Sequence, residues 1–187
     1  MSDIEHDAPE EEFDRSLYYG SLGYFISMFS LVEAMLKETV RQQANVTPAI
    51  AKALFSGVRT DQGSSFLRRC FEARGEAVPV PLDALLRQLA VLSNLRNDLV
   101  HFGVDLRRVP LMVTNRNAVL NDRALRETLI DPATIDLASL DCGRIMVGLS
   151  VYANRYEPTD EARYLQFATG VPWSYRPQSP QRTDQSR

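Results

Sequence analysis

Residues 82–103, LDALLRQLAVLSNLRNDLVHFG, decide how the chain is read. Leu82, Leu85, Leu89, Leu92, Leu99 and Val100 fall on one stripe when successive residues advance by about 100°. That period predicts an amphipathic helix, closed by Gly103 just past its last turn. Arg96 falls near the centre of the stripe, and Asn97 and His101, four apart, stack on one flank of it. Asp98 points towards the solvent side of this wheel. Leu95 and Phe102 leave the stripe for what reads as a second apolar surface.

Helical signals extend on both sides. A long helix is expected from about Phe13 to Ala44, with Leu22, Phe25, Ile26, Phe29, Val32, Leu36 and Val40 on its apolar face. In NVTPAIAKALFSG, Thr47 is a cap and Pro48 sits in the first turn of a short helix ended by Gly57. SSFLRRCFEARG predicts a third helix stopped at Gly75, and VPVP a stiff extended connector. After the helix that ends at His101, VPLMVTNRNAVLND has β-branched residues around Asn115-Arg116-Asn117 and predicts a small hairpin. Helix resumes from about Asp136 to Tyr156, and EARYLQFA adds one more short segment. The expected fold is all-α: an antiparallel bundle of four to five helices with a β-hairpin insert before the last long helix. The expected organisation is an acidic disordered tail over residues 1–12, a helical domain over 13–157, and a partly disordered extension over 158–187.

Bulk properties narrow the function classes. The chain has 187 residues, 44% hydrophobic and 24% charged, which suits one globular domain with tails. No apolar run approaches the roughly 18 residues of a membrane span. The start lacks the basic and apolar stretches of a signal peptide, so the expected location is the cytoplasm, without membrane contact. Cys70 and Cys142 are isolated and show no zinc-ligand spacing, so no metal or cofactor is expected. No glycine-rich phosphate loop and no Gly-x-Ser-x-Gly elbow is present. Six of the 24 acids fall in residues 1–12, leaving 18 against 21 bases over the rest. Only Lys37 and Lys52 are lysines; the other bases are arginines, which suit phosphate contacts. A GC-rich genome gives the same bias, and an excess of three positive charges is far from a strongly basic domain.

Two charges interrupt two apolar faces. Glu33 lies among Phe25, Phe29, Val32 and Leu36, as Arg96 lies among leucines. A charge in a core is costly unless paired, so an Arg96–Glu33 pair between the two helices is expected. It reads either as a buried ion pair that fixes helix register or as the edge of a polar cleft. His101, one of two histidines, lies beside it. Arginine for phosphate, histidine for proton transfer and a polar residue to orient them suffice for phosphodiester cleavage without a metal.

The stretch RNDLVH resembles the signature of HEPN domains: an arginine, four to six residues, then a histidine, often with a polar residue directly after the arginine. It lies at the end of a late helix and runs into Phe102-Gly103, as in that family. GSLGYFISMFSLVEAMLKETV is similar to the family's first helix, with an acid at Glu33, and TIDLASLDCGRIMVGLSVYANRY to its final part. The resemblance covers roughly residues 14 to 157. It implies an all-α domain that dimerises, with two Arg…His motifs facing each other in one composite site. It further implies a metal-independent endoribonuclease, of the kind found among toxins and antiviral defence effectors. The implied catalytic residues are His101 as general acid or base, Arg96 on the scissile phosphate, Asn97 at the polar position and, less directly, Glu33. The implied partners are RNA, a second copy of the chain and, for a toxin, an antitoxin or regulatory protein. Two alternatives stay open: a non-catalytic HEPN module that binds RNA, a nucleotide or a partner protein, and a purely structural helical bundle.

Overall fold

The structure, a computed structural model, describes residues 15–105, 111–114, 127–154 and 159–177. Most of them are helical. The order is α1 (Arg15–Gln43), α2 (Pro48–Phe55), α3 (Thr60–Ala73), α4 (Val80–His101), β1 (Gly103–Asp105), β2 (Leu111–Thr114), β3 (Glu127–Ile130), α5 (Pro132–Tyr152) and α6 (Glu161–Thr169). The all-α class with a small β insert holds. The expected tails at residues 1–12 and 178–187, and the Asn115-Arg116-Asn117 turn, lie outside the described residues.

Local chemistry sets the helix ends. Asn45 turns α1 off with a left-handed φ of 52°, and Val46 N–H closes the end on the Arg41 carbonyl. The Thr47 hydroxyl accepts from Ile50 N–H, with Pro48 in the first turn of α2. Gly75 at φ 71° follows the end of α3, and the Asp131 carboxylate caps α5 through Thr134 N–H at 2.6 Å.

Four long helices share one core. Phe25, Phe29, Val32, Leu36 and Val40 of α1 meet Leu67 and Phe71 of α3, the α4 leucines, and Ile135, Ile145 and Leu149 of α5. Burial of these side chains is the main driving force for the bundle. α4 runs antiparallel to α5: Gln88 Nε2 donates to Asp141, and Leu85 fills the space a side chain at Gly148 would need. α1 runs in the same direction as α5: Met28 lies on Gly143, Thr39 Oγ1 donates to the Leu149 carbonyl at 3.1 Å, and Gln43 to that of Tyr152 at 2.8 Å. α1 is long and apolar enough to cross a membrane by length and composition, yet only 28% of that stretch is buried. Its outward face, from Leu17 through Tyr24 to Leu31, is exposed and carries no charge.

Three expectations need correction. Gly103 does not cap α4; Phe102 leaves the helix in an extended conformation (φ −107°, ψ 147°) and Gly103 begins β1. β2 does not pair just beyond the Asn115-Arg116-Asn117 turn. It is the middle strand of a three-stranded antiparallel sheet, with Val104 opposite Val113 on one side and Met112 opposite Leu129 on the other. Finally, the packed unit does not end at residue 157. α6 lies on α4 and α5, and the segment after it brings Tyr175 into the core.

That last segment is held by a buried polar cluster. The fully buried Asp141 carboxylate accepts from Gln88 Nε2 (3.0 Å), Ser174 N–H (3.0 Å), Tyr175 N–H (2.9 Å) and Arg144 (3.3 Å). Arg144 also donates to the Val171 and Pro172 carbonyls and lies 4.4 Å from the centre of the Trp173 ring. A buried carboxylate with four donors is fully satisfied, so the cluster fixes residues 171–175 against α4 and α5.

Candidate active site at the end of the fourth helix

The last two turns of α4 carry the polar residues, and their surroundings differ sharply. His101 is the final helical residue and its side chain is exposed. Arg96 is half-buried, five residues earlier. Its Nη1 donates to Asn97 Oδ1 at 3.1 Å, and among the described residues no carboxylate pairs with it. A guanidinium whose one partner is a neutral amide keeps its full charge and most of its donors for an incoming anion. Asn97, also half-buried, holds that guanidinium from the adjacent position.

Glu33 is not part of this arrangement. It accepts from Thr60 Oγ1 at 2.5 Å, at the first turn of α3, where a carboxylate also meets the positive end of the helix. The register of the helices explains the separation. Arg96 comes eight residues after Gln88, which is opposite Asp141, so Arg96 stands level with the first turn of α5. Asp136, just past that turn, lines a groove with Ser16, Leu17, Gly20 and Tyr24 of α1. Glu33 lies nine to seventeen residues further along α1, roughly 14–25 Å at ~1.5 Å per residue. The expected Arg96–Glu33 pair is therefore absent; the acid in the α1 face finds a helix terminus instead.

The wheel also misplaces four neighbours. Leu95 is buried in the main core, Val100 is 47% exposed, and Phe102 is half-buried against the core. Asp98 does not face open solvent. It is half-buried and close enough to the Tyr175 phenol to raise its pKa, after the larger effect of burial. The strap clamped by Asp141 thus also comes within electrostatic reach of the C-terminal half of α4, a proximity that sequence spacing gave no means of finding.

Among the described residues, no group of three or more His, Cys, Asp or Glu side chains could hold a metal ion. Burial pushes the Cys142 thiol up to about 12, with the Asp141 carboxylate adding to the effect, so this cysteine stays protonated. What the end of α4 can do chemically is bind an anion at Arg96 and exchange a proton at His101. No protein-family model matches the chain, and no curated protein and no solved structure matches it either.

Proposed function

We propose that the protein is a metal-independent endoribonuclease of HEPN type, acting as a homodimer in which the ends of two α4 helices form one site. The observation that carries this reading is the half-buried Arg96 guanidinium, held by Asn97 and, among the described residues, unpaired with any carboxylate, about 1.4 helical turns before the exposed imidazole of His101. A structural arginine in an apolar stripe would be expected to have an acidic partner, and among the described residues this one has none.

In the proposed reaction the ribose 2′-OH attacks the adjacent phosphorus. One His101 imidazole accepts the 2′-OH proton. The bond to the 5′ oxygen breaks, and the same residue of the second copy, as imidazolium, protonates that oxygen. The products are a 2′,3′-cyclic phosphate and a 5′-OH. Arg96 stabilises the negative charge that grows on the phosphate oxygens, and Asn97 keeps the guanidinium in place.

The end groups test this chemistry. Purified protein incubated with mixed RNA in EDTA should give fragments whose 3′ ends are 2′,3′-cyclic phosphates. Fragments ending in 3′-OH would exclude the 2′-OH as nucleophile. RNA bound but never cut would leave a binding module.

A further inference from the structure

The facing sides of α1 and α2 leave a cleft between them. Ala34, Lys37, Glu38 and Arg41 follow helical spacing on one wall, and Pro48, Ala51, Lys52 and Phe55 on the other. Two helices joined by so short a turn ordinarily close to about 8–10 Å between axes. Here a cleft of about 480 Å³ remains between them, ended by Ser56. That volume is in the range of small-molecule sites, ~300–1,000 Å³.

The cleft has an apolar floor and an uncompensated positive rim. The chain has only two lysines, and both line it. Arg41 is neutralised by Glu38, with two contacts of 2.8 and 2.7 Å. Lys37 reaches across to the Ser56 carbonyl at 3.5 Å, the limit of a hydrogen bond, and Lys52 is exposed and, among the described residues, without an acidic partner. α2 itself is held lightly. None of its residues is buried, and its anchor is the contact of Phe55 with Phe66, ring centres 5.7 Å apart. An eight-residue helix so loosely seated can shift to close on a guest.

We propose that this cleft binds a free organic acid with an apolar body, such as an acyl carboxylate, its chain between Ala34, Ala51 and Phe55 and its carboxylate at Lys37 and Lys52. The charge balance selects an anion, and the alanine and phenylalanine walls select a hydrocarbon. The site lies beside the C-terminal half of α1, away from the end of α4, and the proposal does not rest on the ribonuclease reading.

Titration calorimetry with dodecanoate, kept below its micelle concentration, tests it on the full chain. The expected result is saturable one-to-one binding, about tenfold tighter than that of dodecanol, since two partly exposed lysines supply the preference. Lys37→Gln with Lys52→Gln should remove the preference. Ala51→Trp should fill the cleft and abolish binding, and Ala34→Trp does so from the opposite wall, so whichever variant melts like the wild type decides. No saturable binding, equal affinity for dodecanol, or undiminished binding in a folded cleft-filling variant would overturn the proposal.

Discussion

Glu33 and Arg96, the two charges set into apolar helix faces, do not meet: Glu33 holds the Thr60 hydroxyl at 2.5 Å, while Arg96 holds the Asn97 amide at 3.1 Å. The acid is a fastening between α1 and α3, next to the tight packing of Leu36 on Gly63. Glu33→Ala and Thr60→Val should each cost about 1–2 kcal/mol, and a double-mutant cycle should show them coupled. The same cycle between Glu33 and Arg96 should be additive within about 0.5 kcal/mol. Denaturant melts of the single and double variants check both statements, and strong Glu33–Arg96 coupling would contradict the separation.

Asp141→Ala should be far more damaging. It strands Arg144, the Gln88 amide and two backbone N–H groups in the interior, at a cost of about 3–5 kcal/mol. Asp141→Asn keeps one acceptor and should cost less. The single tryptophan reports the event, because Trp173 lies over Arg144. Its emission should shift to the red as residues 171–175 detach, before global unfolding. Emission unchanged in folded Asp141→Ala would mean the strap is held by other contacts.

Acid should loosen the contact of α3 with α4. The hydrogen bond from Arg68, together with the charges of Arg68 and Arg87, holds the Asp83 carboxyl below the usual carboxylate range. A carboxylate with a depressed folded pKa contributes stability that is present above its unfolded value and lost as pH falls through the folded one. Stability should therefore drop below about pH 4, and Asp83→Asn should flatten that limb while lowering stability at neutral pH. Equal acid limbs for wild type and variant in urea melts would show that other carboxylates govern it.

The proposed dimer has two candidate faces, and they give opposite outcomes. Val100 is exposed beside His101, whereas Tyr24 is 58% exposed on the uncharged face of α1. The composite site requires that Val100→Asp yield a monomer by light scattering and lose cleavage, while Tyr24→Asp stays dimeric. A dimer broken by Tyr24→Asp and not by Val100→Asp would place the two α4 ends apart and exclude a shared site.

Sequence periodicity made the helices legible because a 3.6-residue repeat of apolar side chains has one physical cause. The cap at Thr47 and the stop at Gly75 follow from local backbone chemistry in the same way. The strands were harder. β1 and β3 have only three and four residues, too few for alternation to register, and pairing across residues 115–126 leaves no local mark. At the site, Arg96, Asn97 and His101 stand at one helix end as their spacing required. Glu33 did not join them because a wheel gives direction without height, and the level of α1 against α4 is set by α5. Asp141 and Arg144 carry the kind of signal that singled out Glu33 and Arg96, a charge set into an apolar helix face, here as an opposite pair one turn apart. Their partners, the backbone groups of residues 171–175, are far away in sequence.

The initial rate of RNA cleavage in EDTA, compared between wild type and a His101→Ala variant of equal melting temperature, tests the central claim most directly. Loss of the proton-transfer group should slow cleavage by roughly 10²- to 10⁴-fold. Arg96→Ala should slow it comparably, while Asp98→Ala, a half-buried carboxylate whose charge acts on Tyr175, should alter melting more than rate. Wild-type cleavage by folded His101→Ala would contradict the account and move the activity away from the end of α4.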